Sequence, residues 1–191
     1  MGSVWHREIN KALISTLTGI QCINTLGVKT NVPIIPRYPE KEYKIETFPS
    51  ITFAPMDERF MSKLFSEQLR YVSSVDANNM GTYEQQIKPY RFQYQIDLWS
   101  NFQSDMDDMT MQFNDLIGEH SILPTISNTG ETYSSPIDRI GGNTRLEEHI
   151  EDTTNQRIFH TIYIYNIQGY IDEKLADIIR VVTEVVTKNT N

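Results

Sequence analysis

Residues 91–100 read RFQYQIDLWS, and NFQSDMDDM follows at 101–109. Phe92, Tyr94, Ile96 and Leu98 fall at every second position, with Arg91, Gln93, Gln95 and Asp97 between them. Side chains of an extended chain alternate between two faces. The pattern therefore predicts a strand with its even-numbered residues on a core and Arg91, Gln93, Gln95 and Asp97 facing outward. The acidic run after it poses the functional question. Carboxylates beside a strand can be a metal or acid–base site, or only the charged opening of a helix.

The spacing favours the helix. Met106, Met109, Phe113, Leu116 and Ile117 trace one apolar face, Ser104 stands where an N-cap belongs, and Gly118 is a suitable stop. Asp105, Asp107 and Asp108 then lie in the first turn, where the helix dipole stabilises each by about 0.3–1 kcal/mol. They fan around that turn rather than converging, as the carboxylates of a metal-dependent hydrolase would. Asp97 is expected to be solvated or at a subunit contact.

Working outward, Trp5, Ile9, Ala12, Leu13 and Leu17 mark a buried helix face, with Ser3 as its N-cap and Gly19 as its stop. The proline-punctuated stretch from Val32 to Pro55 allows only short extended pieces, at Val32–Ile35 and Ile51–Ala54. Residues 57–79 have weak helical periodicity or form an irregular excursion, and an extended region follows from Tyr83 to Ser100. Residues 125–156 are rich in Gly, Pro, Asn and Ser and are expected to be a long loop, with Gly141–Gly142 as a turn. RIFHTIYIYNIQGYI at 157–171 is β-branched, aromatic and apolar on both sides, which predicts a long strand. Beyond it Leu175, Ile178, Ile179, Val182 and Val186 sit at helical spacing. The sum is an α+β fold: a single, mostly antiparallel sheet with the N-terminal and central helices packed on one face, plus a C-terminal helix or strand. One domain spans 1–191, with excursions at 57–80 and 125–156.

Composition narrows the function. The 191 residues are 39% hydrophobic and 22% charged, with net charge −8. Without a cluster of Lys and Arg to neutralise phosphates, no nucleic-acid grip is expected. Cys22 is alone, so neither an internal disulfide nor a cysteine-based zinc site can form. No stretch is apolar enough to span a membrane, and residues 1–17 lack the apolar core of a signal peptide. His6, His120, His149 and His160 lie in four separate segments, and the His149–Asp152 spacing has no second pair to complete a metal set. Cys22 with His160 would be a nucleophile pair without a recognisable local signature. No phosphate loop or nucleophile elbow is present. No catalytic, cofactor or metal residues are assigned.

The early helix HREINKALISTL, the strand FPSITFAP, RFQYQIDLWSNFQSDMDDMTMQFNDLI and the later IFHTIYIYNIQGY together resemble the tail terminator (tail completion) proteins of tailed-phage necks. In that family a strand ending in an apolar–Asp–apolar–aromatic signature runs into a helix that packs across the sheet. The added material at 57–80 and 125–156, and the segment after the last strand, leave another neck ring or a baseplate piece as alternatives. An alternative of another class is the hydrolase built on Asp105–Asp108. The resemblance implies a virion protein assembled in the host cytoplasm, without catalysis or cofactors. It implies a homo-oligomeric ring, commonly a hexamer, that caps the tail tube and joins it to the head connector. DNA would pass an acidic lumen without specific binding. Subunit contacts would come from strand edges and the polar loop, with Arg91, Gln93, Gln95, Asp97, Tyr133, Arg139 and Arg145 as candidate interface residues.

Overall fold

The alternation at 91–100 forms the strand it predicts. The structure, a computed structural model, describes residues 4–23, 27–37, 47–61, 70–75, 80–85, 88–148, 157–171 and 178–180. For residues 60, 88, 143–148 and 171, and for those at 70–75, 80–85 and 178–180, it describes the backbone alone. The element order is α1 (His6–Leu17), β1 (Gln21–Ile23), β2 (Lys29–Asn31), β3 (Ile34–Pro36), β4 (Ser50–Phe60), β5 (Arg70–Val75) and β6 (Met80–Gln85). It continues with β7 (Lys88–Ser100), α2 (Gln103–Leu116), β8 (His120–Ile126), β9 (Thr132–Glu148), β10 (Ile158–Ile171) and β11 (Ile178–Arg180).

The fold is mixed α and β. Its main sheet has six strands in the order β3-β4-β7-β10-β9-β8, antiparallel except for the parallel β3–β4 pair. Two smaller sheets accompany it, β1-β2 and β11-β6-β5, so the strands are not confined to the single sheet expected. Phe92, Tyr94, Ile96 and Leu98 are fully buried on one face of β7. Beside them on β10 lie Phe159, Tyr163, Tyr165 and Ile167, also buried. Both helices cover this face: Trp5 at the start of α1 meets Phe92 edge-on, and Phe113 of α2 stacks on Tyr163 at 4.8 Å. The sheet curls so that both of its edge strands, β3 and β8, reach α1.

The helix ends differ from expectation. Ser3 lies outside the described residues; Trp5 is the N-cap of α1, and its N–H donates to the Glu8 carboxylate at 3.3 Å. Gly19 takes φ +111°, open to a residue without Cβ, and ends the helix as expected. Ser104 is the second residue of α2 rather than its cap. The chain turns earlier, because the Ser100 hydroxyl accepts the Phe102 N–H and donates to the Phe102 carbonyl, both at 3.0 Å. Leu116 is 41% exposed, so the inner face of α2 is Met106, Met109, Phe113 and Ile117.

The larger corrections concern extended structure. β4 continues to Phe60 past Pro55, which lacks a ladder donor; the strand bulges there and turns Met56 out to solvent. Residues 70–75 are a strand, not helix. The region expected to be loop at 125–156 contains β9, paired with β8 and β10; only 149–156 lie outside the described residues. Polar composition misleads there because β9 is bulged twice against β10. Gly142 is not a turn but part of this irregularity, with φ +95°. Residues 172–177 and 181–191 of the expected C-terminal helix lie outside the description, and 178–180 form β11.

A Cβ at Gly142 would sit 2.3 Å from the Ile162 carbonyl oxygen and 2.5 Å from Tyr163 Cα. Gly142→Ala is therefore expected to cost about 1–3 kcal/mol, measured as a lower urea midpoint at unchanged slope. Gly118→Ala meets only the Asn114 carbonyl oxygen at 3.5 Å and is expected to change stability by less than about 0.5 kcal/mol.

Candidate functional site

The expected outward face of β7 is the face of the sheet that the helices leave uncovered. Arg91 is exposed, Gln93 and Gln95 are half-buried, but Asp97 is 1% exposed. Asp97 is thus not solvated. Its carboxylate accepts hydrogen bonds from Arg37 Nη1 at 2.9 Å, Gln95 Nε2 at 2.8 Å and His160 Nε2 at 3.1 Å. Arg37 follows β3, and His160 lies on β10 opposite Trp99. The His160 ring stacks on Trp99 at 3.5 Å, the Arg37 guanidinium lies 5.5 Å over the same indole, and Trp99 Nε1 donates to Thr52 Oγ1. One buried carboxylate thereby ties the end of β3, β7 and β10 together, and Trp99 joins β4 beside it through Thr52. The alternation rule gave the face of Asp97 correctly and missed its burial, because Arg37 and His160 are 60 and 63 residues away.

Near this knot Ile158, Ile162 and Ile164 of β10 are half-buried on the uncovered face, which turns polar towards Gln93, Asn166, Arg91 and Gln168. Three strands from β7, on β8, Ile122 and Ile126 are 65% and 61% exposed. Both sheet edges are blunted. Hydrogen bonds from the Arg139 N–H to the Glu119 carbonyl and from the Ser127 N–H to the Glu131 carbonyl show that odd-numbered residues of β8 face β9. Pro124 therefore takes an outward position with no donor. On β3 the Arg37 and Ile51 bonds to β4 leave Pro36 pointing away in the same manner. The edge augmentation expected from the sequence thus lacks a donor at both ends.

The other candidate contacts are scattered. Arg139 lies on the helix-covered side: its Nε donates to the Tyr165 hydroxyl at 3.1 Å, Nη2 donates to Asn114 of α2, and the guanidinium covers the Tyr163 ring at 4.8 Å. Tyr133 packs against the core and donates to Glu131. Arg145 falls where only backbone is described. The structure brings Arg91, Gln93, Gln95 and Asp97 onto one face and leaves Arg139 off it.

The expected first-turn placement holds for Asp105 alone, since α2 starts at Gln103 and Asp107 and Asp108 fall in its second turn; Asp105 is 7% exposed, Asp107 is exposed and Asp108 half-buried. Burial, then the neighbouring Asp108, raises the Asp105 pKa, while a Ser104 hydrogen bond opposes the shift. Cys22 packs under this end of α2, and its thiol donates to the Asp105 carbonyl at 3.7 Å. Burial and the charges of Asp105 and Asp108 push that thiol up to about 11. His160 is on the opposite face, so the two are not brought together. Among the described residues, no group of three His, Cys, Asp or Glu side chains is placed to hold a metal ion. His149 and Asp152 lie outside them.

The remaining histidines join elements. His6 bridges the Tyr94 hydroxyl and the Glu58 carboxylate, each at 2.9 Å, and His120 pairs with Asp138. Burial first, and Glu58 second, raise the Tyr94 pKa. No helix among the described residues is long and apolar enough to cross a membrane.

No family model matches the chain, and no curated protein matches it. Among solved structures, it is similar to the PVC sheath/tube terminator, in its extended state, of an extracellular contractile injection system. The TM-score is 0.49 at 13% identity, over 100% of this chain and 66% of that one. The chain thus spans just under two thirds of that terminator's length.

Asp97→Ala leaves His160 and Arg37 without their shared acceptor. Breaking such a buried pair costs about 3–5 kcal/mol; Arg37 is 25% exposed, so the lower end is expected in urea denaturation. For Asp105 the folded pKa is raised, so the native state holds this proton more tightly than the unfolded chain. Its contribution is fully present below pH 3.8 and is lost as pH rises through the folded value. Asp105→Asn should abolish that loss, giving a variant whose stability relative to the parent increases with pH above 3.8.

Proposed function

We propose that this chain is a structural subunit of a phage-type tail, assembling as a closed homo-oligomeric ring that terminates the tail tube and joins it to the head connector, without catalysis. The observation that carries this reading is the β7–α2–β10 unit. β7 passes into α2 across Asn101 and Phe102 alone, α2 folds back over the apolar face of β7 and β10, and β10 is a long central strand. That is the layout implied by the resemblance of RFQYQIDLWSNFQSDMDDMTMQFNDLI and IFHTIYIYNIQGY to tail terminators.

The uncovered face of the sheet supports the same reading. A strand with one solvated face alternates apolar and polar residues, whereas a strand buried on both faces is apolar throughout. The first half of β10 approaches the second pattern, with Ile158, Ile162 and Ile164 half-buried on the face opposite Phe159, Tyr163 and Tyr165. A neighbouring subunit would complete their burial, and a heterologous contact of this kind closes into a ring when its rotation permits. Arg91, Gln93 and Gln95 would form the polar border of that contact. The net charge of −8 suits a lumen that DNA passes without binding. A place in another neck or baseplate ring would use the same surface.

Mass photometry and class averages of negatively stained particles are expected to show rings, and added protein should cap polymerising tail tubes at a fixed length. Ile122→Asp with Ile126→Asp, both at exposed positions, should yield monomers with unchanged circular dichroism and a thermal midpoint lowered only by the lost association. A parent chain that stays monomeric and binds no tube end would overturn the reading.

A further inference from the structure

We propose that copies of this chain join head to tail: Arg91 and Arg59 on the uncovered sheet face of one copy receive the outer stripe of α2, Asp107, Met111 and Asp115, of the next. The proposal rests on the assembly reading above and names the two surfaces that meet. Both carry charges that their own surroundings leave uncompensated. Arg59 and Arg91 are directly opposite in the β4–β7 ladder, where like charges repel. Arg59 is held by Asp57 at 2.7 Å, whereas the exposed Arg91 meets no carboxylate among the described residues.

On the other side of the sheet, α2 holds four aspartates and no Lys, Arg or His. Its inner face is Met106, Met109 and Phe113, so the helical period turns Asp107, Met111 and Asp115 outward. Asp107 and Asp115 are exposed, and Met111 is 61% exposed. Asp115 stands in the last turn, where the helix dipole opposes a carboxylate, and no cation pairs with it among the described residues. Charge then selects the pairing. The uncovered face laid on itself sets arginine against arginine, and α2 laid on α2 sets aspartate against aspartate. A sheet-to-helix contact brings opposite signs together. Because the two surfaces look away from each other across the sheet, one copy cannot pair its own, and the contact is heterologous, the kind that closes into rings. The spacing agrees. Asp107 to Asp115 spans about 12 Å along the helix, with Met111 midway. Arg91 to Gln95, which lies opposite Ile164 of β10, spans about 13 Å of strand. Met111 resting on Ile164 therefore leaves an aspartate one helical turn nearer Arg91, within reach of its long side chain.

Sedimentation velocity on the full chain, over a range of concentration and salt, tests the contact. The parent should self-associate, and less so as salt rises. Arg91→Glu and Asp115→Arg, each alone, should raise the dissociation constant about tenfold with circular dichroism unchanged. Two double variants, Arg59→Glu with Arg91→Glu and Asp107→Arg with Asp115→Arg, should each be monomeric. Mixed in equal amounts they should form a heterodimer and nothing larger, since each keeps the surface that the other has lost. A mixture that stays monomeric, or association unchanged in both single variants, overturns the proposal. Association lost in Arg91→Glu but kept in Asp115→Arg assigns the arginines to another acidic surface and overturns the pairing with α2. Rings that survive all these substitutions overturn this contact and leave the assembly reading standing. Head-to-tail association that closes no ring and caps no tube does the reverse, and a parent that stays monomeric overturns both.

Discussion

The antiparallel pairing of β7 with β10 is the constraint on which the rest of the chain depends. It runs without a break from Phe159 opposite Ser100 to Ile171 opposite Lys88. A shift of one residue would exchange the faces of every side chain in both strands. In the observed register Phe92, Tyr94, Ile96 and Leu98 lie beside Ile167, Tyr165, Tyr163 and Thr161 on the helix-covered face. The same register puts Trp99 beside His160 on the other face, which allows the stack that braces Asp97. One ladder therefore fixes both the apolar core and the polar knot behind it.

Tyrosines make the core directional. A large apolar side chain gains about 1.5–3 kcal/mol on full burial, but it can slide against its neighbours. The Tyr165 hydroxyl instead donates to the Ile117 carbonyl at 3.0 Å, where α2 ends and its last carbonyls lack helical partners. The Tyr94 hydroxyl donates to Asn10 Oδ1 and also meets His6, both on α1. Each helix is thus fastened to the central strands by directed hydrogen bonds, with Thr161 Oγ1 to Met106 Sδ adding a second for α2. Most buried hydroxyls find partners, although those of Tyr163 and Ser50 have none among the described residues; the contacts of Tyr94 and Tyr165 fix where each helix rests, which bulk apolar packing alone does not.

This explains what the sequence made legible. Period-two alternation identified β7, the apolar run identified β10, and three-to-four spacing identified both helices, because those signals are local. β9 was hidden because its bulges and polar residues resemble a loop, although its partners β8 and β10 are the strands before and after it in the chain. The burial of Asp97 was hidden for another reason: Arg37 and His160 reach it from the end of β3 and from β10, 60 and 63 residues away. Of the acidic run only Asp105 lies in the first turn of α2, because the helix starts at Gln103 and leaves Asp107 and Asp108 to the second turn; the depth of Asp105 depends on β1 packing beside it. Local chemistry set the element types, and long-range pairing set the environments.

The same pairing limits how copies of the chain can meet. Joining sheets edge to edge needs rows of free donors and acceptors. Pro124 interrupts that row on β8, and Pro36 interrupts it on the three-residue strand β3. Growth of the sheet from either edge is therefore opposed by the backbone itself. The helix-covered face is already filled. Among the described residues, the other face of the main sheet keeps Ile158, Ile162 and Ile164 near a carboxylate whose hydrogen bonds are satisfied within the chain, with Ile122 and Ile126 further off on β8. A face that holds its charge paired and leaves its isoleucines half-open can be covered without stranding an ion, so in the proposed assembly that face, rather than the edges, would meet a neighbour.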